Sequence, residues 1–114
     1  MTSEHRLKVL RKTLQTVENG WCRGTYAKDN MDRHVDWWDP KATRFCLVGA
    51  LLKSGGAQMV LFLRRRLPRL FTQLHAFNDC GSKEIVVDFL KGIINELEAN
   101  CRGVEQCEKQ TVSG

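Results

Sequence analysis

The stretch from Phe45 to Leu52 most restricts what this chain can fold into. It reads Phe-Cys-Leu-Val-Gly-Ala-Leu-Leu and is closed by Ser54-Gly55-Gly56. A segment apolar on nearly every side has no solvent face, so other elements must wrap it. Asp39-Pro40 precedes it and has the form of a helix start: Asp39 as N-cap, and proline at the first helical position, where no hydrogen bond is lost. The pattern predicts a central buried helix from Asp39-Pro40 to about Ser54. Gly49 and Ala50 on it leave room for a close neighbour.

The flanking segments supply the wrapping. Leu7, Leu10, Leu14 and Val17 form one stripe of a helix over residues 3–19, capped by Thr2 or Ser3 and ended by Gly20. Residues 21–38 lose the helical period. Gly24–Lys28 and Arg33–Trp37 suit two short strands around Asp29-Asn30-Met31-Asp32, a small hairpin at about 24–37, with a packed irregular loop as the alternative. Residues 57–77 carry the stripe Val60, Leu63, Leu67, Leu70 and Leu74, interrupted by Pro68, which predicts a break near Leu67. Asn78 to Ser82 reads as a turn, with Ser82 or Asp79 as the cap of the following helix and the Asn78 and Asp79 side chains placed to satisfy its opening amides. That helix runs to about Ala99 with Val86, Phe89, Leu90, Ile93 and Leu97 inward. The fold class is therefore mainly α, a compact bundle of four to five helices in one domain over residues 1–100. Residues 101–114 are polar, carry no stripe and read as a flexible tail.

The longest apolar runs fall far short of the roughly 20 residues a spanning helix needs. The first residues lack the apolar core of a signal peptide, so a cytoplasmic protein with no membrane contact is expected. The five cysteines agree, because an odd number cannot all pair within one chain. No C-x-x-C occurs, and Cys101 and Cys107 do not have the spacing of a zinc site, so no metal or other cofactor is expected.

Charge is unevenly spread. The net charge is +5, yet residues 40–77 carry seven basic side chains and no carboxylate: Lys41, Arg44, Lys53, Arg64, Arg65, Arg66 and Arg69. Residues 78–114 carry an excess of acid. The basic stretch is either an anion-binding surface or a segment neutralised by the acidic one packed beside it. Arg65 and Arg69 share one side of a helix, and Arg66 turns toward the core edge. Trp37 and Trp38 are adjacent, so in extended geometry they face opposite ways: one buried, the other available to a partner. The candidate binding residues are Arg64, Arg65, Arg66, Arg69, Lys41, Arg44, Trp37 and Trp38.

Three segments give a recognisable order: Gly20-Trp21-Cys22-Arg23-Gly24, then Ala42-Thr43-Arg44-Phe45-Cys46-Leu47-Val48-Gly49-Ala50-Leu51, then Phe77-Asn78-Asp79. Over residues 17–97 the chain resembles a family of short uncharacterised proteins of bacteria and their phages. That family's pattern is a Gly-Trp opening, an aromatic-Cys-Leu-x-Gly-Ala-Leu helix and an Asn-Asp turn. The resemblance implies this fold order and a phage or mobile-element setting, with no mechanism attached.

These readings point to a non-enzymatic binding protein that occupies a protein or ribonucleoprotein complex. An inhibitor of a host defence or nucleic-acid-processing complex is one concrete form. Direct nucleic-acid binding through the basic surface of residues 40–77 is the first alternative. A small cysteine-dependent enzyme built on Cys46, His75 and Asn78 is the second, set against the reading that Cys46, two turns into an apolar helix, is a core thiol. The second face of residues 57–77 is open to a twin chain.

Overall fold

The computed structural model describes residues 2–113, and their side chains as far as Cys101. Five helices surround a small antiparallel sheet: α1 (Ser3–Asn19), β1 (Ala27–Lys28), β2 (His34–Val35), β3 (Arg44–Phe45), α2 (Leu47–Lys53), α3 (Val60–Arg64), α4 (Leu74–Cys80) and α5 (Lys83–Ser113). The tail expected over residues 101–114 lies, apart from Cys101, outside the described side chains.

α1 has the expected limits and stripe. Thr2 Oγ1 accepts the His5 amide at 3.1 Å, and the Gly20 amide closes the far end on Thr16 and Val17. Leu7, Leu10 and Val17 are buried. α1 packs along α5, which contributes Val86, Leu90, Ile93, Ile94 and Leu97 to the same core. Leu10, Leu47, Leu51 and Leu90 are fully buried at its centre. Each such leucine is worth about 1.5–3 kcal/mol of transfer free energy, so the core rests on the α1, α2 and α5 stripes together.

The hairpin is present and shorter than expected. β1 and β2 pair Ala27 with Val35 and Lys28 with His34. Asp29 builds the turn: its buried carboxylate accepts the Met31 and Arg33 amides, each at 2.9 Å, and the Arg33 side chain at 2.8 Å. The Arg33 amide, its side chain and the Met31 amide hold the Asp29 pKa below the usual aspartate value. Asp32 takes the positive φ of 65° that the turn requires, a conformation aspartate tolerates.

The Asp39-Pro40 helix start is not realised. Asp39 accepts the Lys41 amide in a local turn, and the chain then enters β3 beside β1, pairing Ala27 with Phe45 and Lys28 with Arg44. The Phe45 and Cys46 amides donate to the Gly20 and Tyr26 carbonyls, so the helix has none of these groups to use. α2 therefore starts at Leu47, with Cys46 as N-cap and its Sγ accepting the Gly49 amide at 3.3 Å. The close neighbour anticipated at Gly49 is the Tyr26 backbone; a Cβ there would lie 2.1 Å from the Tyr26 carbonyl oxygen.

The segment after α2 breaks earlier than the Pro68 signal implies. A 3-10 turn at Ala57–Met59 leads into α3, which stops at Arg64, and α4 resumes at Leu74. Asn78 and Asp79 are not a turn but belong to the end of α4, and they do not cap α5. Of the expected caps, Ser82 is the one used: its hydroxyl accepts the Ile85 amide at 3.3 Å.

Candidate functional site

The basic residues divide into tethered and untethered groups. Arg66 is structural: its guanidinium lies 3.6 Å from the Phe62 ring centroid and forks onto Glu96 of α5 at 3.1 and 3.3 Å. Arg44 reaches Asp32 at 2.7 Å and the Asp29 carbonyl at 3.2 Å, which fastens β3 to the hairpin turn. That hydrogen bond, with the Lys28 and Arg44 charges, lowers the Asp32 pKa. Arg64 donates to the Thr72 carbonyl at 3.0 Å across the α3–α4 connection.

Arg65, Arg69 and Lys41 are exposed, and among the described residues their side chains make no ion pair or hydrogen bond. Arg65 and Arg69 do not share a side of one helix as expected, because α3 ends at Arg64: Arg65 is its C-cap and Arg69 lies in the turn after Pro68. Two leucines flank them in sequence: Leu61, on α3, is 52% exposed, and Leu70, beside Arg69, is 92% exposed. Among the described residues, Arg66–Glu96 is the one ion pair between this basic stretch and α5.

The tryptophans lie on the β2–β3 connection. Trp37 is half-buried and Trp38 is 64% exposed, near Met31 of the hairpin turn in sequence and similarly exposed. Among the described residues, no hydrogen bond, ion pair or aromatic contact joins this pair to the arginines.

The second feature is a junction of the three sequence motifs. Asn78 is fully buried, and its Oδ1 accepts Trp21 Nε1 at 2.7 Å and the Leu47 amide at 2.9 Å. Its Nδ2 donates to the Cys22 carbonyl and to Asp79 Oδ1, each at 3.1 Å. Asp79 Oδ1 also accepts the Gly24 amide at 2.9 Å, at a backbone turn where Gly24 has φ +80°. The Asp79–Gly24 bond was not anticipated; the positive-φ glycine at a motif edge was its only local sign.

Beside this junction opens a cleft of about 450 Å³ lined by Thr25, Tyr26, Cys46, Val48, His75 and Asp79 with Gly24. Cys46 is thus at a helix start on a cleft floor, not two turns into a helix. It is nonetheless buried, 3% exposed, and burial pushes its thiol pKa up against the opposing Gly49 and Val48 amides. Cys22 is pushed up to about 11, chiefly by burial and next by the neighbouring Cys46. A Cys-His-Asn arrangement is not formed, because Asn78 is fully engaged beneath the cleft.

The arrangement defines a small, mainly helical domain in which one buried asparagine ties three separated segments together. The chain belongs to DUF6197, a family of unknown function whose profile matches residues 1–96. No curated protein matches it. No solved structure does either. Among the described residues, no helix is long and apolar enough to cross a membrane.

Proposed function

We propose that this protein is a non-enzymatic binding protein, a phage or mobile-element accessory factor that acts by occupying a host protein or ribonucleoprotein complex. The supporting observation is the segment from Leu61 to Leu70, at the end of α3 and in the turn after it, where Arg65 and Arg69 are exposed and, among the described residues, unpaired, Leu61 and Leu70 are exposed, and the other arginines are tied down. Arginine beside exposed apolar side chains is the composition of a protein-binding patch. It suits a partner surface that pairs carboxylates with an apolar centre. The elevated thiol pKa of Cys46 favours binding over nucleophilic chemistry.

Affinity capture from the natural host, with and without nuclease, tests the proposal. A protein complex retained after nuclease and lost with Arg65→Glu/Arg69→Glu is expected. Recovery of nucleic acid alone, with binding that weakens steeply in salt, overturns the proposal in favour of direct phosphate binding.

A further inference from the structure

The cleft at the motif junction has a charge character opposite to that of the chain. The protein carries a net charge of +5, yet among the described residues the lining holds one carboxylate, Asp79, one histidine, His75, and no lysine or arginine. That carboxylate is held in a fixed orientation. Its Oδ1 accepts from both the Gly24 amide and Asn78 Nδ2, and Asn78 is itself locked by Trp21, Leu47 and Cys22. No donor among the described residues reaches Oδ2. Asp79 is only half-buried, and no buried side-chain oxygen is left without a partner, so Oδ2 is open to solvent. Tyr26, 51% exposed, adds an aromatic side chain to the lining, and Cys46 and Val48 give it an apolar floor. The Asp79 charge also contributes to the upward push on both thiols, a sign that its field reaches that floor.

We infer that this cleft binds a small organic cation, an ammonium or guanidinium head on a short apolar stem, with Asp79 Oδ2 as its acceptor. A pre-oriented carboxylate with one uncommitted oxygen forms a charge-assisted hydrogen bond without first being ordered. An aromatic side chain attracts the same cation, and the thiol and valine floor accepts its stem. The head comes either from a free amine or from a basic side chain of another macromolecule. The cleft shares no residue with the Arg65–Arg69 segment, so this inference stands or falls separately from the proposed function.

The test is an amide chemical-shift titration of the whole chain with n-butylammonium and n-butylguanidinium, using butyrate and n-pentanol as charge-reversed and uncharged comparators. Saturable shifts at Gly24, Thr25 and Val48 with at least one cation, and with neither comparator, are expected. A lysine blocked at both ends serves as a third ligand: binding as tight as butylammonium assigns the head to a side chain, and weaker binding assigns it to a free amine. Asp79→Asn keeps an oxygen for Gly24 and removes the charge, so it should weaken cation binding about 10-fold or more, the loss expected for a charge-assisted hydrogen bond. Val48→Phe fills the cleft from α2 and should abolish binding even if Asp79→Asn proves unstable. Absence of saturable shifts with both cations, equal shifts with butyrate, or unchanged affinity in folded Val48→Phe overturns the inference.

Discussion

Asn78 Oδ1 accepts the Leu47 amide at 2.9 Å, so a side chain at the end of α4 caps the start of α2 from 31 residues away. The same oxygen takes Trp21 Nε1, and the same amide group donates to the Cys22 carbonyl. Asn78→Ala therefore strands a half-buried indole N–H, a helix-opening amide and a carbonyl together. Each stranded group costs about 1–3 kcal/mol, and the costs overlap. Asn78→Ala is expected to destabilise the fold by about 3 kcal/mol in urea unfolding. A loss below about 0.5 kcal/mol, the size of an ordinary surface change, would show that water replaces the side chain.

The arginines give a paired contrast. Arg65→Glu/Arg69→Glu alters exposed, unpaired side chains, so stability should stay within about 0.5 kcal/mol of wild type while partner binding is lost. Arg66→Ala removes the Phe62 contact and the fork onto Glu96 and should cost about 1 kcal/mol. Thermal melts beside pull-downs separate the two. A well-lowered melting point for the double Glu variant would make those arginines structural.

Gly49→Ala is expected to be severe. Its Cβ would meet the Tyr26 carbonyl oxygen at 2.1 Å, and backbone on both sides leaves little to move. A loss of about 3 kcal/mol, the upper end for overpacking, is expected. Cys46→Ser should be mild by comparison, because a hydroxyl is a stronger N-cap acceptor than a thiol. Cys46→Val, which leaves the Gly49 amide without its cap, should lose about 1 kcal/mol. Denaturant midpoints for the three variants give the order directly.

Thiol reactivity should follow burial. In native protein at pH 8, iodoacetamide is expected to modify exposed Cys80 well before Cys22 or Cys46. Cys22 carries a raised pKa in the folded state, so its contribution is complete below the unfolded thiol value of 9.0 and is lost as pH rises toward about 11. Melting temperature should therefore fall across that window in wild type and fall less in Cys22→Ala. Early labelling of Cys46, read by peptide mass, would restore the nucleophile reading.

The long helices were legible because each writes a 3.6-residue stripe: Leu7, Leu10 and Val17 in α1, Val86, Leu90, Ile93 and Leu97 in α5. The hairpin turn was legible through Asp29, whose partners lie two and four residues away. β3 was not. Arg44 and Phe45 stand at the head of an apolar run, and their ladder to Ala27 and Lys28 is invisible to a local pattern. Asp39 carried a true capping signal that served a turn at Lys41 instead of a helix. Asn78 carries a capping signal for α5 that is spent elsewhere, since its principal partners sit at residues 21, 22 and 47. The spacing placed Arg66 near the core edge correctly, but Glu96, thirty residues on, gave no sign of pairing with it.

The distances spanned by Asn78 also order events in time. Its bonds to Trp21 and Cys22 close loops of 57 and 56 residues, whereas the Asp29 turn closes over four. Loop closure is an entropic cost met before such contacts return any stability, so local turns form first and distant junctions last. During synthesis the Gly-Trp segment and α2 leave the ribosome well before the residue that joins them. The cleft therefore has no counterpart on the growing chain: Cys46 and Val48 stand ready on the earlier segment, and the carboxylate that faces them arrives only when α4 docks.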